Sequence, residues 1–178
     1  MIEFNKNNIG ILGGTFDPPH RGHLKISKIS IKKFNLDLLI WAITKKNPFK
    51  KKSFFSIKNR IEKSKKKTKK ITKIQIKYYD QIINSSNTID LIKYLKKKNK
   101  KSSLYLIIGS DNLIDFHKWK SCKLLVKMTN IIVFSRNGYD ALARKSAIFK
   151  MVEKKKIILV NNKKINVSSS KIRKSYAL

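Results

Sequence analysis

The chain has 178 residues, 43 of them basic against 10 acidic, for a net charge of +33. That length suits one domain, residues 1–178, whose core buries about 70% of the unfolded surface; no apolar run approaches the ~18 residues that a membrane span needs. A lone cysteine, Cys122, excludes an internal disulfide, and Met1–Asn5 lacks the basic-then-apolar layout of an export signal, so a reducing, cytoplasmic setting is expected.

In chain order, Ile9–Leu12 is a short apolar run of strand type. A helical pattern follows His23 to about Phe34, with Leu24, Ile26, Ile29 and Ile31 on its apolar side. Leu38–Thr44 is continuously apolar over strand length, which fits a strand covered on both faces of a parallel sheet. Lys45–Ser53 is a polar loop with Pro48, and Ser56 is placed to cap a basic helix reaching about Lys70. Ile71–Tyr78 alternates and reads as a strand near an edge, Tyr79–Asn87 as a loop, Thr88–Lys98 as a helix, and Leu104–Ile108 as a buried strand ending at Gly109. Asn112–Met128 is helical in pieces. Ile131–Phe134 is a strand, Ala141–Val152 a helix, Ile157–Val160 a last strand, and Ser168–Ser175 opens a short helix. Strands alternating with helices predict an α/β fold: a doubly wound, Rossmann-like, mainly parallel sheet in a single domain. Ligands of such sheets bind beyond the carboxyl ends of the strands, where the strand order reverses.

The first strand runs directly into Gly13-Gly14-Thr15-Phe16-Asp17-Pro18-Pro19-His20-Arg21-Gly22-His23. Glycines let backbone N–H groups come close to a polyanion. The helix start adds N–H donors and the positive end of a dipole. His20 and His23, at i and i+3, share one face of the first turn, so both rings can meet one phosphate chain. Metal ligation by this His-x-x-His pair is the weaker alternative, because no third ligand stands at a metal-site spacing. Asp17 either braces the turn before Pro18 or contacts a ligand.

Two further clusters carry polar chemistry. Val167-Ser168-Ser169-Ser170-Lys171-Ile172-Arg173 sets serines before a helix and an arginine one turn in. Such serines cap the helix and leave donors for anions, and the guanidinium can grip phosphate as a planar fork. Ile107-Ile108-Gly109-Ser110-Asp111, with Trp119 eight residues after the aspartate, ends a buried strand with a close-approach glycine, a carboxylate suited to ribose hydroxyls and a flat ring suited either to stacking or to the core.

The glycine–histidine stretch resembles the G-x-F-D-P-x-H-x-G-H signature of the nucleotidyltransferases with the HxGH motif, and its wording is most similar to the bacterial nicotinate-nucleotide adenylyltransferases. Val167–Arg173 resembles that family's I-S-S-T-x-I-R motif, with Ser170 in place of threonine, and Gly109–Asp111 its G-x-D segment. The resemblance implies transfer of AMP from ATP to nicotinate mononucleotide, with Mg²⁺ carried on the ATP phosphates. It implies His20 and His23 as the catalytic pair. Gly14, Thr15, Phe16, Gly22, Gly109, Asp111, Ser169, Ser170 and Arg173 would bind ATP; Asp17, Lys50, Thr88 and Trp119 would bind the mononucleotide. The chain departs from the pattern at Asn47-Pro48-Phe49-Lys50, where relatives often carry Pro-Pro-His-Lys, at Asn87, where tyrosine is common, and in stopping at Leu178, five residues after Arg173. Use of nicotinamide mononucleotide, or another adenylyltransferase activity of the superfamily, is the nearest rival.

The charge has two readings. A basic module that binds nucleic acid is one. Yet 38 of the 43 basic residues are lysine and 5 are arginine, beside 27 isoleucines and 15 asparagines. Lys, Ile and Asn have AT-rich codons, so coding bias produces this balance without a polyanionic partner. Arginine, the favoured residue for phosphate forks and base edges, is scarce. The expectation is therefore small-molecule partners, no specific nucleic acid and no membrane. Self-association is left open.

Overall fold

The computed structural model describes residues 7–45, 53–152, 155–162 and 169–174. Six strands form one sheet: β1 (Asn8–Gly14), β2 (Leu38–Ile43), β3 (Ile74–Tyr78), β4 (Ser103–Gly109), β5 (Asn130–Phe134) and β6 (Ile157–Val160). Their order is β3-β2-β1-β4-β5-β6, and every pairing is parallel. The order reverses between β1 and β4, so a crevice opens between the carboxyl ends of these strands, at Gly14 and Gly109.

Among the described residues, seven helices connect the strands, α1 (Arg21–Lys33), α2 (Ile57–Thr68), α3 (Thr88–Lys98), α4 (Ser110–Ile114), α5 (Cys122–Met128), α6 (Asp140–Arg144) and α7 (Ala147–Met151), and α8 (Ser169–Lys174) follows β6. A 3₁₀ turn, Phe116–Lys118, precedes α5. Two differences from the sequence reading have local causes. The expected helix over 141–152 is broken into α6 and α7 because the Ser146 hydroxyl donates to Ala143 O at 2.7 Å and draws off a carbonyl that a continuous helix would use. Strand β3 starts at Ile74 instead of Ile71, because Ile71 N–H bonds back to Thr68 O and Ile74 N–H to Ile71 O, closing a turn.

Alternation along the strands splits the core into two layers. Ile9, Ile11, Leu38, Ile40, Leu104, Leu106, Ile131 and Val133 face one side, with α3, α4 and α5 against them. Leu12, Leu39, Trp41, Ile43, Ile107, Ile132 and Phe134 face the other, with apolar residues of α1 and α2 packed on them. All six residues of β2 are buried, as a strand covered on both faces requires. None of the described helices is long and apolar enough to cross a membrane.

Candidate active site

Helix α1 begins at the floor of the crevice, and its cap is built from the two histidines. Gly22 N–H donates to His20 Nδ1 at 3.1 Å, and His20 N–H donates to His23 Nδ1 at 3.2 Å. This is a capping box in which imidazoles stand where Ser and Glu usually do. Each Nδ1 is an acceptor, so in the neutral ring the proton sits on Nε2. The rings stack with centroids 3.9 Å apart, and His23 also touches Phe16 at 4.7 Å. The Phe16 ring is 2% exposed and stacks on Trp41 at 4.8 Å. Phe16 has φ +48, a conformation costing a non-glycine residue roughly 1–2 kcal/mol, which the packing of its ring holds in place. Burial, with the Arg136 guanidinium adding to it, lowers the His20 pKa to about 4. His20 is therefore neutral at pH 7, and in each ring the Nδ1 that accepts a backbone N–H leaves Nε2 as the donor.

The carboxyl-terminal helix docks on the same turn. Ser169 Oγ donates to Pro18 O at 3.0 Å, and Arg173 Nη1 donates to Asp17 O at 2.6 Å. Arg173 Nη2 donates to Ser170 Oγ at 3.1 Å, and Nη1 lies 3.6 Å from Asp17 Oδ2. Residues more than 150 positions apart in sequence thus share one wall of the crevice.

The turn itself is held from behind. Asp17 is 3% exposed, and its two carboxylate oxygens accept from Phe54 N–H at 2.7 Å and Phe55 N–H at 2.8 Å. Arg60, 1% exposed on α2, donates to Thr15 O at 2.7 Å, Thr44 O at 2.8 Å and Phe55 O at 3.1 Å. One guanidinium so ties the end of β1, the end of β2 and the segment before α2. Asp80 closes the next loop by accepting from Thr44 Oγ1 and Lys45 N–H, both at 2.8 Å.

On the opposite wall, Gly109 leads into Asp111. A Cβ at Gly109 would overlap Asp111 Oδ1, so this position admits no larger residue without displacing the carboxylate. Asp111 Oδ2 pairs with Arg136 Nη1, and Arg136 N–H donates to Ser110 Oγ at 2.9 Å. The crevice encloses about 650 Å³, and its walls carry both histidines, Gly13, Arg136, Trp119 and the Ser169–Arg173 helix start. A Cβ on Gly13 would meet nothing within 4 Å, since it would project into this open space.

The cytidylyltransferase-like family model matches residues 11–175. The chain belongs to the cytidylyltransferase-like family. A probable nicotinate-nucleotide adenylyltransferase of Pelagibacter ubique (strain HTCC1062) is 50% identical over 169 residues, 95% of this chain and 93% of that protein. The probable enzyme of the same name from Clostridium tetani (strain Massachusetts / E88) is 33% identical over 92% of this chain and 84% of its own length. Among solved structures, Plasmodium falciparum nicotinic acid mononucleotide adenylyltransferase complexed with APC superposes with a TM-score of 0.74 at 24% identity, covering 94% of this chain and 83% of that one. That likeness is one of fold. The resemblance read from the glycine–histidine turn is borne out, as is the doubly wound sheet.

Within this cytidylyltransferase-like fold most residues singled out from sequence meet. Gly14, Thr15, Phe16, His20, Gly22, His23, Thr88, Gly109, Asp111, Trp119, Ser169, Ser170 and Arg173 all line the crevice. Asp17 is not among the lining residues; its carboxylate accepts from the Phe54 and Phe55 backbone, the arrangement expected of a turn brace. Lys50, with Asn47, Pro48 and Phe49, lies outside the described residues. Trp119 is half-buried, packs on Phe116 with centroids 4.9 Å apart and still contributes to the crevice wall. Asn87 stands at the start of α3 without a side-chain cap bond; its N–H donates to Ser85 Oγ at 3.1 Å. Sequence reasoning missed Arg60, Asp80 and Arg136.

Proposed function

We propose that this chain transfers the AMP moiety of ATP to nicotinate mononucleotide, forming nicotinate adenine dinucleotide and releasing pyrophosphate. The observation that carries the reading is the convergence of the His20–His23 pair and the Ser169–Arg173 helix start on one crevice at the sheet's switch point. Relatives named for this activity cover nearly the whole chain.

A phosphate oxygen of the mononucleotide attacks the α-phosphorus of ATP in line, and the bond from that phosphorus to the pyrophosphate oxygen breaks. No enzyme group needs to form a covalent bond; alignment and offset of growing negative charge suffice. The two Nε2–H groups donate to ATP phosphate oxygens. These hydrogen bonds gain strength as the bridging oxygen becomes charged. Arg173, Ser169 and Ser170 hold the β- and γ-phosphates. Gly14, Thr15, Gly22, Gly109 and Asp111 border the nucleotide, and the buried Phe16 acts through His23. Thr88 and Trp119 bound the pyridine end. Mg²⁺ enters on the ATP phosphates as part of the substrate and offsets charge on the leaving pyrophosphate. The whole chain is read as one catalytic domain working in a cytoplasmic setting.

Pyrophosphate release with MgATP and, separately, nicotinate mononucleotide, nicotinamide mononucleotide and phosphopantetheine tests the assignment. The nicotinate substrate is expected to give the highest kcat/KM. Preference for phosphopantetheine, or no release with any pyridine mononucleotide, overturns it.

A further inference from the structure

Two buried residues stand behind the histidine pair. Trp41 and Ser27 are each 0% exposed, and neither lines the crevice. Trp41 sits inside β2, in register with Leu12 of β1 and Ile76 of β3, so strands on both sides hold its backbone. Its Nε1–H donates to Ser27 Oγ at 2.8 Å, and the Ser27 hydroxyl donates in turn to His23 O at 2.7 Å, one turn back on α1. The indole also stacks on Phe16, with 17° between the planes, and its centroid lies 5.9 Å from that of His23. His23 is thus held by its carbonyl through Ser27 and by its ring among Phe16, Trp41 and His20.

Packing alone does not call for this chemistry. A buried indole brings an N–H that needs an acceptor, which an aliphatic side chain or a phenylalanine in β2 would not. An aromatic ring turns about its Cβ–Cγ bond between broad, roughly two-fold minima. The bond to Ser27 fixes the one that lays the indole against Phe16 and His23. We propose that Trp41, locked by Ser27, is a positioning residue that aims the His23 imidazole at the ATP phosphates without touching substrate itself. This rests on the function proposed above and adds to it the buried pair that sets the attitude of the donor. A hydrogen bond that strengthens as charge develops is sensitive to aim, so a loose imidazole lowers kcat more than it raises KM.

The test separates positioning from packing with Ser27→Ala, Trp41→Phe and the double variant. Ser27→Ala strands the indole N–H in the core and is expected to lower the unfolding midpoint. Trp41→Phe keeps a ring on Phe16 and loses the N–H. The double variant leaves no buried donor unpaired, so its midpoint is expected to rise above that of Ser27→Ala. Its kcat for dinucleotide formation is nevertheless expected to stay about tenfold below the wild type, as in Trp41→Phe, with KM for ATP held within about twofold. A double variant whose kcat lies within about threefold of the wild type, or losses that follow the unfolding midpoint across the three variants, overturns the proposal and leaves the functional reading intact. A second readout needs no substrate: long-range ¹H–¹⁵N spectra of the three histidines at about pH 8, above the ordinary histidine range. His23 is expected as the Nε2–H tautomer in the wild type, with its ring nitrogens moving toward the average of both tautomers in the double variant. Unchanged His23 ring shifts also overturn the proposal. A wild type that forms no dinucleotide overturns the functional reading, and the ring shifts then decide on their own whether Trp41 holds the imidazole.

Discussion

His20 and His23 hold each other through the backbone of one helical turn: Gly22 N–H donates to His20 Nδ1, and His20 N–H donates to His23 Nδ1. The same bonds that start α1 also make Nδ1 the acceptor in each ring and leave Nε2 to donate. The proposed catalytic donor and the structural cap are thus one group, and substitutions have to separate the two.

His20→Asn does so. Asparagine keeps a cap acceptor but loses the Nε2–H donor. Turnover is expected to fall by about 10²–10⁴, with a midpoint of thermal unfolding close to that of the wild type. His23→Ala is expected to lose turnover comparably. Normal kcat in either variant contradicts the role given to the ring.

The buried imidazole also imprints a pH dependence on stability. The unfolded chain protonates His20 near 6.5, the folded chain only near 4. Between those values the unfolded state binds more protons, so stability falls as pH drops. From pH 7 to pH 5 this group alone removes about 2 kcal/mol. Urea unfolding at both pH values, with His20→Asn as reference, is expected to show that extra loss in the wild type and not in the variant.

Arg173 and Asp17 act together but fail differently. Arg173→Ala is expected to raise KM for ATP tenfold or more, about the worth of one charged hydrogen bond to phosphate. Asp17→Asn places an amide N–H against Phe54 or Phe55 N–H and is expected to cost about 1–3 kcal/mol of stability, measured by denaturant unfolding, with a smaller rise in KM for ATP. An unchanged KM and kcat in Arg173→Ala argues against the phosphate contact.

Arg60 is expected to be the most sensitive position away from the crevice wall. Arg60→Met leaves the carbonyls of Thr15, Thr44 and Phe55 without their buried donor. A loss of about 3–5 kcal/mol is expected, of the size seen when one member of a buried polar cluster is removed. Wild-type stability in that variant contradicts the strut role.

These residues differ in how far the sequence exposes them. The histidine turn and the serine–arginine start are local: each is a run of neighbours whose spacing already fixes a helix cap. The sheet was legible because β2, β4 and β5 are uninterrupted apolar runs. Arg60 was hidden by its setting. The buried face of α2 is Arg60, Ser64 and Thr68, spaced by four but polar, so among surrounding lysines the helix reads as solvated on all sides. An arginine in a lysine-rich helix, at the spacing of its small polar residues, was the available signal. Asp17 kept two readings because its partners, Phe54 and Phe55, lie 37 and 38 residues away and only tertiary structure supplies them. Arg136 stands past β5, where nothing local links it to Asp111, 25 residues earlier.

The most direct measurement is the rate of nicotinate adenine dinucleotide formation from MgATP and nicotinate mononucleotide in the wild type, His23→Ala, Arg173→Ala and the double variant. If both side chains grip one triphosphate, the wild type turns over, each single change costs at least about tenfold in kcat/KM, and the double variant loses clearly less than the product of the two. Losses that multiply in full, or a wild type that forms no dinucleotide, would contradict the shared site.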